Sequence, residues 1–197
     1  MFYSFARCVV GMLLILLGLK KEGINKVPVN GSIILAANHV SNWDPVIIGV
    51  ALKRPIHFMA KFELFNNRFM GKLLTSLNAF PVKRGVADRR AIEKAIKLLR
   101  DGKVLGIFPE GARKKVNPNS QIYSGAAMLA LKTGAQVVPV ACIGTEKDLP
   151  IGWLQPFKVR FGEPINLEQY RNQKINSAML EEVSKQIMKE ITLLFDK

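Results

Sequence analysis

The chain has 197 residues, enough for one well-cored domain and few for two. Hydrophobic residues make up 49% of it, which excludes a disordered chain. The 29 lysines and arginines against 15 aspartates and glutamates give a formal charge of +14, so acidic partners are expected: nucleic acid, anionic lipid, phosphorylated substrates or acidic carrier proteins.

The N-terminus carries an uncharged apolar run from Cys8 to Leu19, preceded by Arg7 and followed by Lys20, Lys21 and Lys26. It falls short of the roughly 20 residues a spanning helix needs. A cleaved signal peptide fits poorly, because Lys20-Lys21-Glu22 stands where small residues should be. Two readings remain, an apolar helix packed on the domain and a helix that dips into one leaflet with its lysines on anionic headgroups. The run is apolar all round, which favours the membrane.

Beyond it, strands are predicted at 33–37, 56–60, 79–82, 104–108, 137–143 and 158–161. Helices are predicted at 45–52, 68–77, 88–100, 124–132 and 177–195. The helix at 88–100 is the clearest, with Ile92, Ala95, Ile96 and Leu99 in one stripe and Gly102 just past its end. Alternation of this kind predicts an α/β fold: a single layered domain with a largely parallel central sheet flanked by helices, plus the N-terminal apolar helix. No internal repeat or low-complexity linker interrupts it.

The segment Asn38-His39-Val40-Ser41-Asn42-Trp43-Asp44-Pro45 joins the first predicted strand to the first helix. Asp44 followed by Pro45 reads as an N-cap with proline at the first helical position. The loop is also short enough for the Asp44 carboxylate to fold back onto His39, fix its tautomer and leave the other ring nitrogen free to take a proton. The segment alone leaves both readings open. Other polar residues gather after the remaining strands: Lys61, then Lys83-Arg84, then Pro109-Glu110-Gly111-Ala112-Arg113. In parallel α/β sheets ligands bind beyond the carboxyl ends of strands, so these groups are expected on one edge. Cys8 and Cys142 lie in apolar runs with no C-x-x-C pair, and His39 and His57 are 18 positions apart, so no zinc site is expected. The cysteines read as small apolar residues and suit a reducing compartment. His57 reads as structural. Phe65, Phe69 and Met70 fit core packing better than the lining of a binding tunnel.

Five blocks in order resemble the PlsC-like 1-acylglycerol-3-phosphate acyltransferase family. Asn38-His39 with Asp44 matches its N-H-x(4)-D motif, and Lys61-Phe62-Glu63-Leu64 resembles its K-x-E-L element. Phe80-Pro81-Val82-Lys83-Arg84-Gly85, Phe108-Pro109-Glu110-Gly111 and Val137-Val138-Pro139-Val140 are similar to its F-P-V-x-R-G, F-P-E-G and V-P-V blocks. The chain departs from the family at Asn78, where glycine is frequent, at Ala112, where a hydroxyl is usual, and at Ser124, which replaces a common lysine.

The resemblance implies transfer of a fatty acyl group from a thioester to the sn-2 hydroxyl of lysophosphatidic acid, giving phosphatidic acid. His39 and Asp44 would be the catalytic pair. Lys61, Arg84, Glu110, Gly111 and Arg113 would bind substrate, with backbone amides around Gly111 as oxyanion donors. No cofactor or metal is implied, acyl-CoA or acyl-carrier protein being a co-substrate. The implied layout is a membrane-associating helix at 1–25 and an acyltransferase domain at 26–197, monotopic or peripheral at the cytoplasmic face of the cell membrane. Glycerol 3-phosphate or another lysophospholipid would be an alternative acceptor. A non-catalytic anionic-lipid-binding module would leave His39 and Asp44 without a task. Nucleic acid is not expected, because no basic stripe interleaved with aromatics appears.

Overall fold

The computed structural model describes residues 2–83, 85–111, 123–146, 157–170 and 173–196. Among these residues seven strands form one sheet: β1 (Lys20–Glu22), β2 (Ile33–Ala37), β3 (Ile56–Lys61), β4 (Phe80–Val82), β5 (Val104–Ile107), β6 (Gln136–Ile143) and β7 (Lys158–Phe161). Their spatial order is β1-β7-β6-β2-β5-β3-β4. Every pairing is parallel except that of β6 with β7. Among the described residues six α-helices accompany them: α1 (Phe2–Leu16), α2 (Asp44–Ala51), α3 (Arg68–Ser76), α4 (Arg89–Arg100), α5 (Gly125–Thr133) and α6 (Ser177–Thr192).

The central strand β2 shows why the fold has three layers. All five of its residues are buried. Ile34 and Ala36 pack into the core shared with α4, α5 and α6. Ile33, Leu35 and Ala37 pack into the core shared with α1 and α2. Successive strand side chains point to opposite faces, so a strand covered by helices on both sides must be apolar throughout.

The predicted strands and helices all form: 33–37 and 158–161 match at both ends, and no other end is displaced by more than three residues. The first strand, β1, was not foreseen. Its Lys-Lys-Glu sequence carries no strand pattern, and it exists because its backbone finds the open edge of β7, pairing Lys20 with Lys158 and Glu22 with Arg160. Arg160, itself buried, donates to the Glu22 carboxylate and to the Leu194 carbonyl, tying this edge to the end of α6. Residues on both sides of position 25 therefore share one sheet.

The N-terminal helix fits neither sequence reading alone. Gly11 and Leu14 are buried against the domain, and Gly11 lies close enough to Val50 that a Cβ there would sit 3.4 Å from it. Phe2, Phe5, Val9, Met12, Leu13 and Leu16 are exposed on the other side, spaced by one helical turn. None of the described helices is long and apolar enough to cross a membrane. The 3-10 turn Phe62–Phe65 and α3 also differ from expectation. Phe69 is 85% exposed and Met70 43%, and α3 buries no residue, so core packing is not their role. The 3-10 turn packs on β3 and β4, and α3 packs on that turn.

Candidate active site

The polar residues at the carboxyl ends of the strands converge as the parallel topology requires. β2 lies between β6 and β5, pairing Ala37 with Val140 and Ala36 with Ile107. The loops after these three strands therefore open side by side, and they supply His39, Glu110 and Thr145.

Asp44 is the first residue of α2 rather than its cap. Trp43 takes the cap position but its side chain does not cap the helix, and Pro45 follows within the first turn. The Asp44 carboxylate is thus released from helix capping and turns back into the loop. Its Oδ2 accepts from the Val40 and Ser41 amides, both at 2.8 Å, and lies 2.9 Å from His39 Nδ1. Its Oδ1 accepts from the Thr145 hydroxyl at 2.7 Å. The residue is 0% exposed. Burying a carboxylate this deeply is tolerable only with such donors around it, and the N-terminus of α2 adds a favourable dipole. A carboxylate only accepts, so the proton between the two groups sits on His39 Nδ1 and leaves Nε2 with its lone pair.

The ring is fixed from its flat side as well. It stacks on Phe108 with centroids 4.1 Å apart, and Phe108 in turn stacks on Phe58 at 5.9 Å. Phe58 lies flat only because β5 has glycine opposite it. A Cβ on Gly106 would come within 2.2 Å of the Phe58 ring. Asn38 completes the frame, donating to the Cys142 carbonyl at 3.0 Å and accepting from the Cys142 amide at 2.7 Å. That bidentate bond pins the start of the loop to β6. His39 keeps 7% of its surface exposed, a narrow access beside a fully sealed Asp44.

Sequence reasoning singled out His39 and Asp44 and missed Thr145, Gly106 and Phe58. A glycine inside the apolar run of β5 and a polar residue directly after β6 were the available signals. Cys142 takes no part as a thiol, because burial, and then the nearby Asp44 charge, push its pKa well above the ordinary value. His57, half-buried in β3, has its pKa lowered chiefly by burial, which suits a structural residue.

The substrate-binding candidates divide. Glu110 is 1% exposed in the turn after β5. Gly111 has a left-handed φ of 66° and a Cβ there would meet the Tyr123 ring at 2.5 Å, so only glycine fits. Its amide donates to the Phe108 carbonyl at 3.0 Å, which closes the turn and removes this N–H from the expected oxyanion donors. Lys61 ends β3 with its side chain half exposed and 3.5 Å from Glu63. Lys83 follows β4, its ammonium 5.2 Å from the Phe62 ring. Arg84 and Arg113 lie outside the described residues. Asn78, at a family glycine position, has φ 63°, a left-handed conformation that asparagine tolerates best after glycine.

The acyltransferase family model matches residues 18–143, which contain the whole of this constellation but Thr145. This chain belongs to the acyltransferase family. The acyltransferase is 32% identical over 184 residues to the 1-acyl-sn-glycerol-3-phosphate acyltransferase of Bacillus subtilis, an alignment covering 91% of each chain. It is 30% identical to the enzyme of that name from Streptococcus pneumoniae, over 98% of this chain and 73% of the relative. Its fold is similar to that of the 1-acyl-sn-glycerophosphate (LPA) acyltransferase PlsC from Thermotoga maritima, with a TM-score of 0.60 and 27% identity over 94% of this chain and 81% of that one.

Proposed function

We propose that this acyltransferase moves a fatty acyl group from a thioester to the sn-2 hydroxyl of lysophosphatidic acid, giving phosphatidic acid. The observation that carries the mechanism is the 2.9 Å contact between His39 Nδ1 and a buried, fully engaged Asp44 carboxylate. The named relatives support the acceptor.

An alcohol near its own pKa is a poor nucleophile, so a base must take its proton during attack. As the acceptor oxygen bonds to the thioester carbonyl carbon, His39 Nε2 takes the hydroxyl proton and Asp44 stabilises the imidazolium. Collapse of the tetrahedral intermediate breaks the C–S bond, and the imidazolium returns the proton to the leaving sulfur. A thiolate leaves readily, so the acceptor hydroxyl does the work a serine does elsewhere and no acyl-enzyme is needed. Lys61, with Arg84 and Arg113 on the family motifs, would hold the acceptor phosphate, guanidinium groups offering paired donors to phosphate oxygens. Glu110 and Gly111 would shape the turn beside the glycerol. The donor would be acyl-CoA or acyl-carrier protein, both acidic and both suited to a chain of charge +14.

The exposed apolar face of α1 supports a place at the membrane surface, monotopic or peripheral, where the lipid acceptor resides. Purified protein in detergent, given each donor with lysophosphatidic acid, glycerol 3-phosphate or another lysophospholipid, tests the reading. Phosphatidic acid from the first acceptor is the expected product. Absence of transfer to it, or preference for another acceptor, overturns the assignment.

A further inference from the structure

Arg7 of α1 and Lys21 of β1 both reach the C-terminal end of α2. Arg7 Nη1 donates to the Leu52 carbonyl at 3.2 Å, and Lys21 Nζ to the Val50 carbonyl at 3.1 Å. A cation at a helix C-terminus is ordinary capping, but two exceed what the helix needs. The helix end supplies roughly half a negative charge against two full positive ones. Each side chain also keeps donors beyond the one it uses. Both cations line a groove along α1 whose lining contains no carboxylate among the described residues. The adjacent Glu22 is committed to Arg160 and Lys158. Burial, and then the Arg7 charge, lower the Lys21 pKa, as expected of a cation lacking an anion. The groove continues past these charges over Met12, Ile15 and Leu16, all exposed.

We propose that this groove binds one anionic phospholipid of the bilayer, its headgroup phosphate between Arg7 and Lys21 and its acyl chain along Met12, Ile15 and Leu16. The site lies at the opposite end of α2 from the His39 loop and takes a lipid that is not the acceptor. The proposal rests on α1 lying at the membrane surface.

The test compares binding of the full chain to phosphatidylcholine vesicles with and without phosphatidylglycerol. The Arg7→Gln/Lys21→Gln variant keeps an amide donor for each carbonyl and loses both charges. Lys97→Gln/Lys189→Gln removes two charges from α4 and α6, on the opposite side of the sheet. The wild type should prefer the phosphatidylglycerol vesicles, and the groove variant should lose about 30-fold in binding to them, at on the order of 1 kcal/mol per basic residue near the surface. The opposite-side variant should change by less than threefold, roughly the reach of screened long-range charge. Native mass spectrometry from phosphatidylglycerol-containing detergent should show one retained lipid, lost in the groove variant at unchanged melting temperature. Equal losses in the two variants, or a groove variant that keeps its preference and its lipid, overturn the site. Binding to neutral vesicles then still supports α1 at the surface. Failure of the wild type to bind either vesicle overturns both readings.

Discussion

In the loop after β2, a carboxylate with no exposed surface takes three hydrogen-bond donors besides the imidazole it orients, while α1 leaves Phe5 69% and Leu16 72% exposed. Both segments adjoin the same apolar core around α2. The difference lies in what each gives up to solvent. A buried charge is tolerated only when surrounding groups replace its water, and those groups then hold it rigidly in place. An exposed apolar helix face costs little local order but awaits a cover. One region holds an imidazole in a fixed geometry, and the other leaves an apolar face uncovered.

The sharpest test of the first region is His39→Ala, expected to lower acyl transfer by about 10²–10⁴-fold, the usual worth of a general base. Steady-state rates, with circular dichroism to confirm the fold, would measure it. Activity near wild type would remove His39 as the base. For the second region, Phe5→Ser/Leu16→Ser should weaken vesicle partitioning by at least about tenfold, each large apolar side chain being worth about 1.5–3 kcal/mol when fully buried. Thermal stability should barely move, because both side chains already face outward. A marked drop in melting temperature would show that α1 needs this face for folding.

Smaller effects separate the supports of the His39 loop. Gly106→Ala forces a methyl against Phe58, and overpacking typically costs about 1–3 kcal/mol. Since Phe58, Phe108 and His39 are stacked in series, kcat should fall along with stability. Adding Phe58→Leu should recover the melting temperature and leave kcat low. Thr145→Val leaves Asp44 Oδ1 without its hydroxyl donor, a loss of about 1–3 kcal/mol for a buried acceptor. It should reduce kcat with KM little changed, and an unaltered kcat would limit Thr145 to stability. The mildest effect is in acid. Hydrogen bonding to Arg160 holds the Glu22 pKa below its ordinary value of 4.5. Its folded pKa is depressed, so its contribution is full above pH 4.5 and is lost as pH falls through the lower folded value. Glu22→Gln should flatten that part of a melting-temperature-against-pH curve and lower stability at neutral pH.

Much of this was legible in the chain. Cover on both faces makes β2 a short, wholly apolar run and the 3.6-residue stripe of Ile92, Ala95, Ile96 and Leu99 makes α4 visible, so the α/β alternation follows from residues in order. His39 and Asp44 were legible too, because their contact spans five positions of one loop. β1 was not, since Lys-Lys-Glu forms a strand only where β7 offers an open edge.

Local patterns thus determined the elements other than β1, the fold class and the candidate His39–Asp44 pair, because each depends on neighbours within a turn or a loop. Tertiary structure alone decided that Thr145 meets Asp44 across 101 positions and that Asn38 grips Cys142 across 104. It also decided which face of an all-round apolar α1 is packed and which is left open. Contacts at such separations are set by strand order, and no periodicity along the chain encodes them.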